Sequence, residues 1–290
     1  MLLQLLLQTK QQEELERQLI YEYIIPIGVV LIAIFIVYKL ARAFQFFYAS
    51  RFKKPLFNHV YFKLKKLTPL QLSILKNEYT FYRKLSPKHQ VYFEHRVATF
   101  LKEITFIGKQ ELQITEQMKV IIAATSSLLN FGFRNYRIKL LDKVLLYPTA
   151  FYSKLNENMH KGEFNPSYKA IVLSWEDVLH GYSIDNDNFN VAIHEFVHAM
   201  HLDCLNQKGL KAAIFINGFS DIAHFIETNE DYKNRLIESE YFRDYAYTNQ
   251  FEFLSVIIET FIETPGEFKR QFPELYRLVK RMLNFNFANY

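Results

Sequence analysis

Residues Ile24 to Tyr38, IIPIGVVLIAIFIVY, form an uncharged apolar run that ends at Lys39. With Tyr21 and Tyr23 in front, the stretch reaches about 18 residues, close to the ~20 that a helix needs to cross a bilayer. Pro26 falls in its first turn, where a missing N–H costs little. Tyr21, Tyr23 and Tyr38 sit where interfacial aromatic anchors belong. A cleaved signal peptide carries positive charge before its apolar run and small residues after it. The order here is the reverse. The competing reading is a buried core helix.

Charge orients the span. From Lys39 to Lys76 there are nine Lys and Arg and no Asp or Glu, whereas Lys10 and Arg17 ahead of the run face Glu13, Glu14, Glu16 and Glu22. The positive-inside rule then places everything after Lys39 in the cytoplasm, with the chain in the inner (cell) membrane. The net charge of +5 belongs to this one segment. A basic run beside a span clings to anionic headgroups, so nucleic acid is not expected as a partner. The single cysteine, Cys204, excludes an internal disulfide framework and reads as a small buried apolar residue.

Domain organisation follows from punctuation and periodicity. The expected order is a short tail over 1–20, a transmembrane helix over 21–39, a basic helical connector over 40–84 broken at Pro55 and Pro69, and a compact domain over 85–290. Within that domain, helices are expected from Pro87, over 115–130 with Thr115 as cap, over 189–204, over 250–262 and over 273–283. Short strands are expected at 143–147 and 170–173. The fold class is α+β, mostly helical.

His194-Glu195-Phe196-Val197-His198 is an H-E-x-x-H motif. On a helix, residues i and i+4 share a face, so both imidazoles reach one ion, and Glu195 lies beside that ion as a proton acceptor. The flanking Val191, Ile193, Phe196 and Val197 bury the helix, and buried His and Glu need partners or a metal. The competing reading is a pair of satisfied core histidines. A catalytic site needs a third protein ligand and an open position. Glu252 and Glu259 punctuate the apolar run FEFLSVIIETFI on one face, and spacing alone does not choose between them. His59, His89, His95 and His224 read as surface residues, while His160 and His180 flank the strand before the motif helix.

The runs ITEQMKVIIAATSSLLNFGF, VLLYPTAF, VLSWEDVL, NVAIHEFVHAM and YAYTNQFEFLSVIIETFIETP, in this order over about residues 85 to 283, resemble the Mlc titration factor A family of zinc peptidases. That family is related to the catalytic domain of lethal-factor-type toxins. The resemblance implies a zincin-like fold and one zinc ion per chain, held by His194, His198 and a glutamate of the later helix. The family's T-N-x-x-E-F pattern is Thr248 to Phe253 here, which makes Glu252 the third ligand and leaves Glu259 as a residue supporting the ligands. Tyr245, three before Thr248, matches the family's oxyanion-steadying tyrosine. His201 stands where the family usually has aspartate. It either buttresses the site or faces solvent.

The implied activity is peptide-bond hydrolysis by zinc-activated water, with Glu195 as general base and Tyr245 beside the oxyanion. The strand 170–174 is expected to be an edge strand that pairs with an extended peptide substrate. Two other readings stand beside the enzyme. One is a regulatory binding protein that sequesters a transcriptional repressor or another cytoplasmic partner. The other is a structural membrane protein with a relic metal site.

Overall fold

The computed structural model of the chain describes residues 2–153, 157–183 and 188–290. They fall into two compact units, Met1–Arg51 and Phe52–Tyr290.

The first unit is helical from end to end. Helix α1 (Leu2–Leu19) runs into one widened π turn, Ile20–Ile24, and on into α2 (Ile25–Phe52). The stretch expected as a tail is therefore helix as far as the structure describes it, with Met1 outside the described residues. The π turn has a local cause. Pro26 has no N–H to offer the carbonyl four residues back and its ring crowds that carbonyl, so the turn ahead of it opens. In this turn the Ile25 N–H reaches the Ile20 carbonyl. The large apolar side chains from Tyr21 to Tyr38 are exposed. Thr9–Phe52 is a helical run long and apolar enough to cross a membrane.

The second unit begins well before residue 85. An irregular segment after Phe52 leads to α3 (Pro69–Glu78), which opens on a Thr68–Gln71 capping box, and to α4 (Thr80–Lys84). Leu75, Tyr79, Phe81, Tyr82 and Leu85 are buried. Residues 52–84, read from composition as connector, thus contribute to the core of this unit. The lysines had masked their apolar partners.

A four-stranded sheet follows, with strands in the order β1 (Thr105–Gly108), β2 (Lys143–Tyr147), β6 (Ala170–Ser174), β5 (Gly162–Asn165). The first three are parallel and β5 is antiparallel to β6, with Gly162 opposite Leu173 and Asn165 opposite Ala170. The expected edge strand 170–174 is therefore an inner strand. The chain folds back so that β5 takes the edge. A small hairpin, β3 (Phe151–Ser153) with β4 (Asn158–His160), precedes it.

The helices carry most of the core. Helix α5 (Pro87–Glu103) packs on α6 (Glu116–Leu129), whose residues are buried from Val120 to Leu129. The Thr115 hydroxyl accepts from the Met118 N–H at 3.2 Å, fixing where α6 starts. Helix α7 (Trp175–Ser183) leads to α8 (Val191–Leu205), which packs on α6, β5 and α11 (Gln250–Glu263). Around them lie α9 (Leu210–Thr228), α10 (Glu230–Glu238), a 3-10 turn at Asp244–Tyr247, α12 (Pro265–Gln271) and α13 (Pro273–Met282).

Candidate metal centre

Two asparagines set the helices that build the site. The side chain of Asn190 accepts from the Ile193 N–H at 3.1 Å and starts α8, so His194 falls in its first turn. The side chain of Asn249 accepts from the N–H groups of Phe251 and Glu252 at 2.9 and 3.1 Å. That cap starts α11 and puts Glu252 in its opening turn. The packing of α11 on α8 then brings Glu252 over the exposed end of the histidine pair.

Three donor atoms converge there. Nε2 of His194 lies 3.0 Å from Nε2 of His198 and 2.8 Å from Oε2 of Glu252, and that oxygen is 3.4 Å from Nε2 of His198. One ligand atom from each of the three residues lies within 4.8 Å of the others. The tautomer of His194 follows from its far side. Glu259 is fully buried, and its Oε1 accepts from Nδ1 of His194 at 2.6 Å. Nδ1 thus carries a proton, and Nε2 points at a carboxylate oxygen. Two lone pairs at that range repel unless a proton or a cation lies between them. Two imidazoles and a carboxylate, with the buried histidine oriented by an outer carboxylate, suit a divalent metal ion.

The outer shell includes a residue that sequence reading missed. Arg243 donates to Oε1 of Glu259 at 2.8 Å and to the Asn188 carbonyl at 3.2 Å, and its guanidinium lies over the rings of Phe189 and Tyr245. The Asn190 N–H donates to the other oxygen of Glu259 at 3.1 Å. A buried carboxylate needs such neighbours. The position of Glu259 in an apolar helix was the one sequence signal that a cation had to be near it.

Charge inside the cluster is strongly coupled. Burial works to lower the basicity of His194, but Glu252 and Glu259 outweigh it and lift the imidazole to about 10, so a proton fills the contact between Nε2 and Glu252 wherever a cation does not. Burial works to raise Glu252, and the two histidines override it, holding the carboxyl well below the usual carboxylate range. Glu195 is buried and its pKa is raised, chiefly by desolvation. The Phe164 backbone amide of β5 works against that rise. Gly162 explains how the strand comes so close. A Cβ there would stand 2.6 Å from Val191 Cγ2 and 2.7 Å from Glu195 Cγ, so only glycine fits.

A cleft of about 450 Å³ opens over these residues. Its walls include His160, Gly162 and Phe164 on one side and Leu202, Leu205 and Phe251 on another, with Tyr245 at the rim. Tyr245 is half exposed, its ring 5.8 Å from that of His194. Burial, reinforced by Glu252, pushes its hydroxyl up to about 12. His201 is buried against Phe215, Phe219 and Phe251 and borders the cleft. It does not face bulk solvent. Of the remaining histidines, His160 borders the cleft, while His180 and His224 are exposed. His59, His89 and His95, read as surface residues, lie instead in an aromatic cluster around the buried Arg96. Cys204 is buried, and burial pushes its thiol up to about 11.

Residues 58–283 match the family described as glucose-regulated metallo-peptidase M90. The chain belongs to that family. Similar proteins include the "Uncharacterized protein slr2042" of Synechocystis sp., 24% identical over 239 residues, covering 75% of this chain and 84% of the relative. Proteins named Mlc titration factor A are also similar. The one from Pectobacterium atrosepticum is 26% identical over 200 residues, covering 63% of this chain and 74% of its own. The one from Serratia proteamaculans is 27% identical over 199 residues, covering 62% and 74%. The resemblance read from the five sequence runs is thus shown, and with it a metallopeptidase-like domain carrying a group able to hold a metal ion.

Proposed function

We propose that this chain is a membrane-anchored zinc metallopeptidase that hydrolyses peptide bonds in the cleft above His194, His198 and Glu252. The observation that carries the reading is the convergence of those three ligands beside Glu195, inside a family of peptidases. The ligand set favours zinc, a borderline-soft ion suited to mixed nitrogen and oxygen donors in a tetrahedral site. When bound, the ion supplies Lewis acidity and lowers the pKa of a coordinated water toward ~7.

The chain's own residues do the rest. Glu195 takes a proton on its carboxylate as the water attacks the scissile carbonyl, and passes it to the leaving nitrogen. Tyr245 donates its hydroxyl to the oxygen that gains charge. Glu259 and Arg243 hold the His194 ring in the tautomer that offers Nε2 to the ion. His201 backs the cleft wall beside His198. The fold this chemistry calls for is zincin-like, and the reading takes Ile24–Tyr38 as a single span of the inner membrane. The basic run after Lys39 favours a cytoplasmic catalytic domain.

The test is Glu195→Gln, which keeps size and hydrogen bonding but cannot accept the proton. Cleavage of a peptide library, read by mass spectrometry, should fall ~10²–10⁴-fold with metal content unchanged. Undiminished cleavage would defeat the enzyme reading. The Mlc titration factor A relatives support a second reading, capture of a transcriptional regulator, and that activity would survive the same substitution.

A further inference from the structure

The second unit opens on a segment whose two sides differ sharply. One side is fastened to the domain. Arg96 donates to the Asn58 carbonyl at 3.3 Å and to the Tyr61 hydroxyl at 2.7 Å, and stands 3.2 Å from Nδ1 of His59. Asn284 donates to the Asn58 side chain at 3.2 Å, and the Lys65 N–H donates to His95 at 2.8 Å. Pro55 is buried. The other side is held outward by those same bonds. Phe57, Val60, Phe62 and Leu64 are exposed, and Phe62 presents its whole surface to solvent.

Large apolar residues held at the surface by a fixed backbone cannot collapse inward to escape water. Such a patch calls for an apolar occupant. Its charge says which kind. Lys63 and Lys66 alternate with Phe62 and Leu64, Lys54 lies just upstream, and no Asp or Glu occurs between Lys39 and Lys76. Among the described residues, Lys53 pairs with Asp221 and Lys65 with Glu103, while Lys54, Lys63 and Lys66 make no ion pair. Aromatic tips set among unpaired lysines match a bilayer interface, with rings at the acyl boundary and ammonium groups at anionic phosphates.

We propose that residues 57–66 form an interfacial docking segment, seating the domain that carries the metal centre on the anionic lipid surface of the membrane. This rests on the spanning reading of Ile24–Tyr38 for its setting, but it is a separate contact made by the second unit itself. It adds to a single-pass anchor a surface contact that depends on lipid charge.

The test uses the full chain in nanodiscs of phosphatidylcholine, alone or with about one third phosphatidylglycerol. Phe62→Trp reports locally, because the wild-type chain has only the buried Trp175 and serves as the blank. The added emission should move to the blue and be quenched about twofold or more by lipids with brominated acyl chains in the anionic discs. Quenching should be much weaker in the neutral discs, and Lys54→Gln, Lys63→Gln and Lys66→Gln together should abolish the difference. Red, unquenched emission in both disc types would overturn the proposal. So would a blue shift that appears only on adding soluble cell extract, without lipid quenching, because that result means a protein partner. A chain that fails to co-elute with discs defeats the spanning reading alone, and the same titration with anionic vesicles then decides the docking segment.

Discussion

Two clusters of buried charge lie in the second unit, one around Arg96 and one around Glu259, and they are satisfied in opposite ways. Arg96 donates to the carbonyls of Asn130 and Phe133 at 2.6 and 2.7 Å, to the Asn58 carbonyl and to the Tyr61 hydroxyl. It has no carboxylate partner among the described residues. All its donors end on groups fixed by the fold, and its ring neighbours Phe131 and Tyr136 close over it. Glu259 is equally buried, but the network it starts does not close. It runs through His194 to Nε2, which faces two further donor atoms at the floor of a cleft. A guanidinium whose nitrogens all end on groups of the fold holds structure together. A network that ends in convergent ligand atoms beside solvent is built to hold something else.

The largest effect that separates them concerns stability. Arg96→Met keeps much of the side chain's length and volume but strands the carbonyls of Asn58, Asn130 and Phe133. It should cost about 3 kcal/mol, measured by denaturant unfolding, while the folded fraction cleaves peptide as before. A variant of normal stability would mean that the Arg96 cluster does not hold the fold, and the comparison would lose one side.

Glu259→Gln reads the other side. The amide can still meet Arg243, but it no longer polarises His194 as an anion. Metal affinity should fall about 10–100-fold in a competition assay with a chelating dye, with little loss of thermal stability in the metal-loaded chain. Unchanged affinity together with a large loss of stability would make Glu259 a structural anchor like Arg96.

The smallest effect lies in the pH response. Burial, with Arg96 as the next cause, holds His59 down to about 3, and burial, with Lys65 next, holds His95 down to about 4. A base whose folded pKa is depressed binds protons more readily when unfolded. Its contribution to stability is therefore whole above the unfolded value near 6.5 and is lost as pH falls through it toward the folded value. Each histidine should account for up to about 2 kcal/mol between roughly pH 7 and pH 5. Replacing His95 with Gln should flatten the stability–pH profile over that window by about one histidine's share. An unchanged slope would show that His95 titrates normally.

Much of this was legible in the residues. The helix starts at Thr115, before Val191 and before Gln250 carry side-chain caps or apolar periodicity, and the structure begins its helices within a residue or two of them. The H-E-x-x-H spacing put His194 and His198 on one face, and they do meet. Spacing could not choose between Glu252 and Glu259, because both lie on the α11 face turned toward α8. Only tertiary geometry separates them, with Glu252 at the Nε2 side of His194 and Glu259 at its Nδ1 side. Arg243 was invisible because its partner is sixteen residues away in sequence and on another element. The edge strand β5 was missed because Gly162-Glu163-Phe164-Asn165 is short and lacks an alternating pattern. His95 and His59 were misread because a polar neighbourhood in sequence says nothing about which residues a buried arginine will gather around it.

The comparison rests on one claim, that the Glu259 network ends in a metal ion and the Arg96 network does not. Elemental analysis of the purified full chain tests it most directly. Wild type and Arg96→Met should each carry close to one zinc per chain, while His198→Ala and Glu252→Gln should lose stoichiometric metal, because each removes a converging donor. Metal content that survives both ligand substitutions, or that disappears with Glu259→Gln while Glu252→Gln retains it, would contradict the account.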